Sequence, residues 1–485
     1  MGEYEPIGAH RQESASIGKE RGDQPAMSSS SRSDSDELEL LAIGDVHLGM
    51  RPGSLPEGLD EAGVDPRALT PEAALLATVE RAVEEGVDAV LFAGDVVESS
   101  NARFEAMRPL ETAVRRLLDA GIPVLAVAGN HDVEALPRLA KMIEGFELLG
   151  AGGQWQTRLI EKVGGPAVEI LGWSFPERQV RNSPVGNLLR NPIPPARPGI
   201  TRIGLLHGDL DASGGSYAPF TRGELAEAGL DAWLLGHIHK PSLSEGMGVD
   251  GAGPVGYLGS LVGLDPGEMG VHGPWLVRVN SRGEVAAQQL AIAPLRWERF
   301  DVRVEEDERP EDLADRLLAE IARVGAEIQA QGSIPKALGL RPRLVGQTRH
   351  YDDLRRFIDE GRWKGLLRSA GETLVFIDKV LDGLELAHDL AALARGDDPP
   401  ALMARKLLIL RRPSEDEERS ALLAATRETL QGLANESRWA ALEEGRDQQD
   451  PLSDSALVSI LVKAGTEALC ELLSQRGGAE AGVAS

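Results

Sequence analysis

The sequence predicts a layered α/β fold, followed by a smaller α+β region and a helical C-terminal segment. Short apolar runs that end in Gly or Asp alternate with helical stretches from residue 38 to about residue 300, as strands and helices do in layered α/β proteins. The chain has 485 residues, enough for two or three domains, and 42% of them are apolar, so a large core is possible.

The first two segments differ in composition. Residues 1–37 are polar and rich in serine, and because they contain few large apolar side chains we expect a disordered tail. Residues 38–300 contain the strand-like runs together with helical stretches such as 71–85 and 109–120. This alternation predicts that residues 38–300 form the first folded domain.

The sequence after residue 300 divides into two further segments. Residues 301–398 begin with a strand at 301–304 and an amphipathic helix at 310–329, and we expect them to form a small α+β domain that caps the first. Residues 399–485 have apolar residues at helical spacing almost throughout. They therefore predict a helical C-terminal segment.

Charge and cysteine content exclude several classes of protein. The formal net charge is −26, from 51 basic and 77 acidic residues, so bulk attraction cannot bind nucleic acid and any such contact requires metals or a local basic surface. The single cysteine, Cys470, excludes a disulfide framework and a thiolate zinc cluster. Without a signal-peptide pattern or an apolar run long enough to cross a membrane, these features predict a cytoplasmic protein.

Five apolar runs end in side chains that can bind a metal ion. The five junctions are Gly44-Asp45-Val46-His47, Gly94-Asp95, Gly129-Asn130-His131-Asp132, His207-Gly208-Asp209 and Gly236-His237-Ile238-His239. Ligands of layered α/β proteins collect at the carboxyl ends of strands, so the five junctions predict one pocket. In four of them a glycine precedes the first polar residue and permits close approach of the backbone.

The donor types at these junctions fit divalent cations. Imidazole nitrogens with carboxylate and amide oxygens suit manganese, iron or zinc. Asp45 and His47 are two residues apart, so on an extended strand their side chains point the same way, and His237 and His239 repeat this spacing. A carboxylate able to bridge two ions would complete a two-metal hydrolytic centre.

The ordered set of junctions resembles that of the calcineurin-like metallophosphoesterases. Within them, residues 257–273 (YLGSLVGLDPGEMGVHG) and the segment Arg296-Trp297-Glu298 are most similar to the SbcD-type DNA repair exonucleases, in particular the YhaO-like branch. The resemblance implies a β-sandwich flanked by helices and two bound divalent ions, with Mn2+ expected first and Fe2+ or Zn2+ as alternatives. The protein phosphatase branch is disfavoured, since its Asp-Arg-Gly and Gly-Asn-His-Glu motifs are missing.

The resemblance also implies a role for each residue. One ion would be held by Asp45, His47, Asp95 and His239, and the second by Asp95, Asn130, His207 and His237, with Asp95 bridging the two. A water molecule between the ions would attack the phosphate. His131 would face the phosphate as a general acid, and Asp132 would orient His131 or else cap the following helix. After Gly94-Asp95, related nucleases often carry an aromatic or apolar residue followed by Asp or His. This chain has Val96-Val97-Glu98 there, and the role of Glu98 stays open.

A basic strip in the capping domain is the predicted contact for the DNA backbone. Eight basic residues lie between residues 341 and 368, and the proposed contacts are Arg341, Arg343, Arg355, Arg356, Arg362 and Lys364. The alternative is a solvated helix face in which neighbouring acidic residues pair with the arginines.

Three functions compete on this evidence. The first is a DNA exonuclease or endonuclease of DNA repair that works as a homodimer with an SMC-like ATPase of the SbcC/Rad type, which would dock on the helices of residues 399–485. The second is a small-molecule phosphodiesterase or nucleotidase with the same metals. The third is a catalytically silent scaffold for the ATPase. The C-terminal helices could equally pack on the rest of the chain.

Overall fold

The structure of the protein is a computed structural model. It describes residues 37–98, 106–212, 214–247, 253–361, 363, 366–434 and 452–483. The predicted tail, apart from residue 37, and the predicted contacts Arg362 and Lys364 lie outside these ranges. No helix of the described residues is long and apolar enough to cross a membrane.

Two sheets form the centre of the first domain. The first sheet has the spatial order β4 (Phe146–Leu148), β3 (Val124–Ala126), β2 (Ala89–Phe92), β1 (Leu38–Ile43), β11 (Trp275–Val279), β12 (Val285–Gln289) and β9 (Gly246–Met247). The second has the order β10 (Val255–Tyr257), β8 (Ala232–Gly236), β7 (Ile200–His207), β6 (Ala167–Trp173) and β5 (Gln156–Glu161). Strands β1 to β4 run parallel to one another, as do β6, β7, β8 and β10.

The inner faces of the two sheets pack on each other. Leu40 and Ala42 of β1 lie in the same buried cluster as Leu205 of β7 and Leu234 of β8, so the predicted β-sandwich is confirmed. Alternate residues of β1, such as Leu41, join a second cluster on the outer face of the first sheet. Because both faces are covered, these strands read as continuous apolar runs rather than as alternating ones.

Helices cover the outer faces of both sheets. The helices α1 (Pro71–Glu85), α2 (Met107–Asp119) and α3 (Ala135–Met142) pack on the first sheet, and α4 (Pro184–Arg190) and α5 (Arg222–Ala228) pack on the second. Local signals set their ends: the Thr70 side chain accepts a hydrogen bond from Ala73 N at the start of α1, and Gly86 ends that helix at a φ of 67°.

A third sheet forms the capping region. It contains β13 (Leu295–Arg303), β14 (Ala337–Thr348), β16 (Thr373–Ile377) and β15 (Leu367–Ala370) in that order, with β17 (Leu381–Leu386) beside the second half of β14. Helix α6 (Pro310–Ala330) buries its predicted apolar face against it, and α7 (Tyr351–Asp359) follows. The predicted boundary at residue 300 therefore falls inside strand β13.

The C-terminal segment is helical, as predicted. It contains α9 (Pro399–Leu410), α10 (Glu417–Ala434) and α11 (Asp454–Val483), and the short helix α8 (Leu390–Leu393) precedes it. Leu457 and Leu469 of α11 are buried with Leu407 of α9 in a cluster of their own. Cys470, in contrast, is buried in the core of the third sheet, so α11 packs against the capping region.

Candidate metal centre

All five predicted junctions lie at the carboxyl ends of parallel strands in the two facing sheets. Strands β1, β2 and β3 supply Asp45, His47, Asp95, Asn130 and His131, while β7 and β8 supply His207, His237 and His239. Because the two sheets pack face to face, these ends meet at one edge of the sandwich. The structure thus brings the seven predicted ligands together.

One group of side chains joins the two sheets at Asp45, His47 and His239. Their ligand atoms lie within 4.8 Å of one another. His47 Nε2 is only 3.0 Å from His239 Nε2, so one of the two nitrogens must be protonated unless both bind a cation. This arrangement fits a metal ion, and it matches the first predicted ligand set.

A second group contains Asp95, His207 and His237, again within 4.8 Å. His207 Nε2 lies 3.3 Å from Asp95 Oδ2 and 3.1 Å from Asn130 Oδ1. The same Asp95 oxygen is 4.0 Å from His47 Nε2, which belongs to the first group. Asp95 therefore occupies the position expected of a bridging carboxylate.

The backbone is held in unusual conformations at three of these residues. His47, Asp95 and His237 have φ angles of 53°, 48° and 112°, although none is glycine. Such conformations cost on the order of 1–3 kcal/mol each and are found where a site requires a particular side-chain direction. The strain aims these three side chains at the centre.

The glycines that precede the ligands lie too close to other ligand residues to carry a side chain, which agrees with the close backbone approach that the sequence predicts. A Cβ on Gly129 would lie 2.2 Å from Asp95 Oδ1, and a Cβ on Gly94 would lie 2.6 Å from His207 Nδ1. Gly94 also has a φ of 95°. A side chain at either position would displace a predicted ligand.

Burial and charge determine the protonation of the centre. Burial alone would raise the pKa of Asp95, but the charge and hydrogen bond of His207 and the charge of His47 hold that pKa well below its usual range. Burial alone would lower the pKa of His207, yet Asp95 and Asp45 raise it to about 9. Without a metal ion, the His207 proton neutralises the buried carboxylates.

His131 is oriented by Glu98. The His131 side chain is 43% exposed at the rim, and its Nδ1 lies 2.9 Å from Glu98 Oε2. The same oxygen is 3.3 Å from His47 Nδ1. The carboxylate that departs from the family pattern therefore contacts both a predicted ligand and the predicted general acid.

Asp132 occupies a different place from the one predicted. Its two oxygens accept hydrogen bonds from Gly129 N at 2.7 Å and Val96 N at 2.8 Å, so it braces two ligand-bearing loops instead of holding the His131 ring. It does not cap the next helix either, because the N-cap residue of α3 is Glu134. Burial, followed by the charge of Asp95, raises the pKa of Asp132 to about 8.

Sequence reasoning missed two carboxylates that hold histidines. Glu268 Oε1 is 2.6 Å from His239 Nδ1, and its other oxygen accepts a hydrogen bond from Leu264 N at 2.8 Å. Asp209 Oδ1 is 3.0 Å from His237 Nε2. Asp209 could have been found from the His-Gly-Asp junction, whereas Glu268 lies in a glycine-rich loop with no strand end to indicate it.

Most arginines of the predicted DNA strip are engaged in ion pairs. Arg341 pairs with Asp378 at 2.6 Å, and Arg343 forms two hydrogen bonds to Asp301 at 2.8 and 2.7 Å. Arg355 binds Asp382 at 3.3 Å and also Glu467 of α11. Arg356 is the most exposed of the members that the structure describes and lies 3.7 Å from Asp353. These contacts favour the structural alternative for Arg341, Arg343 and Arg355.

Comparisons with known proteins agree with this geometry. The family model described as calcineurin-like phosphoesterase matches residues 38–241. The chain is 27% identical over 287 residues to "Uncharacterized metallophosphoesterase YhaO" of Bacillus subtilis, covering 54% of this chain and 64% of that protein. It is 28% identical over 244 residues to "DNA double-strand break repair protein Mre11" of Aeropyrum pernix, covering 48% and 56%. The chain thus aligns with less than two thirds of the length of these relatives.

Among solved structures, a dimetal phosphatase from Danio rerio aligns at 14% identity with 52% of this chain and 98% of its own. The TM-score is 0.32, so the family model and not this likeness identifies the domain. The matched segment contains all seven predicted metal ligands. Residues 38–241 form a calcineurin-like metallophosphoesterase domain.

Proposed function

We propose that this protein is a two-metal phosphodiesterase that cleaves DNA. The observation that carries the proposal is the pair of ligand groups, Asp45–His47–His239 and Asp95–His207–His237, at facing strand ends. Asp95 lies within 4.0 Å of a nitrogen in both groups, as a bridging ligand would. Asn130 completes the second group through its contact with His207.

The two ions, when bound, would supply a hydrolytic nucleophile at neutral pH and neutralise charge on the phosphate. The residues around the ions would orient the ligand side chains and supply a proton to the leaving oxygen. His131 Nδ1 faces Glu98, which leaves Nε2 of this exposed ring for the phosphate and for proton transfer to the leaving oxygen. Glu268 and Asp209 fix the ring orientations of His239 and His237, as second partners of metal-bound histidines do.

DNA as substrate is supported by the relatives and by the length of the chain. Several relatives are named DNA double-strand break repair protein Mre11. A small-molecule phosphodiesterase would not need the third sheet and the helices that follow it. We further propose a homodimer, an SMC-like ATPase partner that docks on residues 399–485, a cytoplasmic location and manganese as the working metal.

Two alternative functions can be distinguished from DNA cleavage by experiment. A small-molecule phosphodiesterase or nucleotidase would use the same centre without DNA contacts. A scaffold for the ATPase would bind its partner without turnover, and it is disfavoured because no predicted metal ligand has been replaced.

The deciding experiment compares three substrates in Mn2+: single-stranded DNA, double-stranded DNA and bis-p-nitrophenyl phosphate, each with and without an SMC-like ATPase. We expect metal-dependent DNA cleavage that is lost in Asp95→Asn and retained in Asp60→Asn, whose side chain is exposed and is not one of the predicted ligands. Hydrolysis of the small ester alone would favour the small-molecule enzyme. Binding of the ATPase without hydrolysis of any substrate would favour the scaffold.

A further inference from the structure

A cleft of about 740 Å3 opens along the loop that follows β1. Its first lining residue, Leu48, directly follows the predicted ligand His47, and the wall continues to Leu55. The opposite walls come from residues 66–76, at the start of α1, and from residues 108–109, at the start of α2. The cleft is therefore continuous with a ligand-bearing loop.

Three arginines line this cleft: Arg51, Arg67 and Arg108. All three are exposed, and none of their guanidinium groups forms an ion pair or hydrogen bond with another described residue. Of the described lining residues, Glu72 alone is acidic. In a chain with a net charge of −26, three guanidinium groups against one carboxylate in one cleft mark a local site for anions.

The N-terminus of α2 adds to the positive potential, whereas that of α1 is offset by Glu72 in its first turn. Helices α1 and α2 both begin at this cleft, and the N-terminus of a helix favours negative charge. The start of α2 at Ala106 has no side-chain cap and no acidic residue in its first turn, so its positive end is not neutralised from within the helix.

The other lining groups favour a polymer over a lone ion. Met50, Leu55 and Leu76 give the cleft apolar wall area, and Met50 is 37% exposed. Sugars and bases can lie against such walls while their phosphates meet the arginines. The described lining residues include no aromatic ring, so the contact would be to the backbone and independent of sequence.

We propose that Arg51, Arg67 and Arg108 bind the phosphates of the DNA strand that flank the phosphodiester under attack. This inference rests on the proposed function, because it names the surface by which the same centre selects DNA. It also moves the principal DNA contact from the basic strip of the capping region, where Arg341, Arg343 and Arg355 are already paired, to the phosphoesterase domain.

The test is a triple variant, Arg51→Ser/Arg67→Ser/Arg108→Ser, in the full chain. The matched control is Arg299→Ser/Arg395→Ser/Arg411→Ser, which removes three exposed arginines that also lack ion pairs with described residues. Binding of a fluorescent single-stranded oligonucleotide is measured by anisotropy in EDTA over a series of salt concentrations. Cleavage of the same oligonucleotide and of bis-p-nitrophenyl phosphate is measured in Mn2+.

We expect the cleft variant to bind the oligonucleotide at least about tenfold more weakly. The slope of the logarithm of the binding constant against the logarithm of the salt concentration should fall in magnitude by about two, since each phosphate contact on a single strand contributes about 0.7 to that slope. The ratio of DNA cleavage to small-ester hydrolysis should fall at least tenfold, whereas the control variant should match the wild type in every assay. Equal DNA binding by the cleft variant and the wild type would overturn the inference alone. Equal loss on both substrates would overturn it as well, since the arginines would then act through the metal centre. Failure of the wild type to bind or cleave DNA would refute the proposed function and the inference together.

Discussion

At the scale of single residues, the centre depends on carboxylates that do not bind metal in the proposed scheme. Glu98, Asp209 and Glu268 each contact a ring nitrogen of a histidine, and Asp132 ties together the loops that follow β2 and β3. The seven ligands could be predicted because each lies at the end of a strand or within four residues after it. Glu268 could not be, because its contact with His239 depends on how a loop folds back over the sheet edge.

Substitutions at His131 and Asp95 should separate metal binding from catalysis. His131→Ala should abolish turnover and leave two metals bound, because His131 faces the phosphate. Asp95→Ala should lose both activity and metal, because Asp95 contacts both ligand groups. Elemental analysis of the purified variants provides the measurement. Equal metal loss in the two would identify His131 as a ligand.

Glu98→Gln tests the contact between Glu98 and His131, which involves the residue that departs from the related nucleases. Glutamine keeps the size of Glu98 but cannot hold His131 by charge. We expect turnover to fall by about ten- to a hundredfold, less than the roughly hundred- to ten-thousandfold that a general acid contributes, because His131 itself is retained. Metal content should stay at the wild-type value, and Glu144→Gln, on the surface, should have no effect. Metal loss in Glu98→Gln would mean that Glu98 acts through His47.

Metal affinity should increase with pH. In the metal-free protein the pKa of His207 is raised from 6.5 to about 9 by Asp95 and Asp45, against the effect of burial. This proton stabilises the metal-free fold fully below pH 6.5, and that stabilisation is lost as the pH rises through about 9. A metal must displace the proton, so affinity rises across the same window. Calorimetric titrations in two buffers of different ionisation enthalpy should detect the released proton; identical enthalpies would contradict the prediction.

At the scale of elements, helix α11 links two parts of the chain. Its Leu457 and Leu469 pack with α9, while Cys470 enters the core of the third sheet and Glu467 pairs with Arg355 of α7. The helical periodicity of α11 could be read from the sequence. Its packing partner could not, because apolar spacing on one helix is equally compatible with a core or with a partner protein.

A pair of variants on α11 tests this packing. Leu457 is fully buried and Ile460 is 48% exposed, so Leu457→Ala should destabilise the segment by about 2–5 kcal/mol, whereas Ile460→Ala should have little effect. Thermal unfolding of the full chain gives the measurement. If Ile460→Ala instead abolished binding to the proposed ATPase without a change in stability, this exposed face would be the docking surface. Similar unfolding curves for Leu457→Ala and the wild type would argue against the packed arrangement.

At the scale of the whole molecule, the phosphoesterase domain and the capping region share a core. Trp297, on the strand that crosses the predicted boundary, is buried with Ala337 and Phe376 of the third sheet and with the outer cluster of the first sheet. Its ring meets Phe376 edge to face at 5.4 Å. A boundary drawn from composition therefore divides a strand that belongs to both regions, because composition reports local structure and not shared burial.

Trp297 connects this shared core to the metal centre. Trp297 Nε1 donates to Gly263 O at 3.1 Å, and Gly270 N donates to Trp297 O at 2.9 Å, so the residue holds both ends of the loop that positions Glu268 against His239. Trp297→Ala should lower the free energy of unfolding by about 3–5 kcal/mol and weaken metal binding through His239. Trp297→Phe retains most of the packing but loses the hydrogen bond to Gly263 O. It should therefore weaken metal binding while lowering the free energy of unfolding less than Trp297→Ala does. Denaturant unfolding and metal titration of both variants separate the two effects. Unchanged metal affinity in Trp297→Ala would show that the loop keeps its place without the capping region.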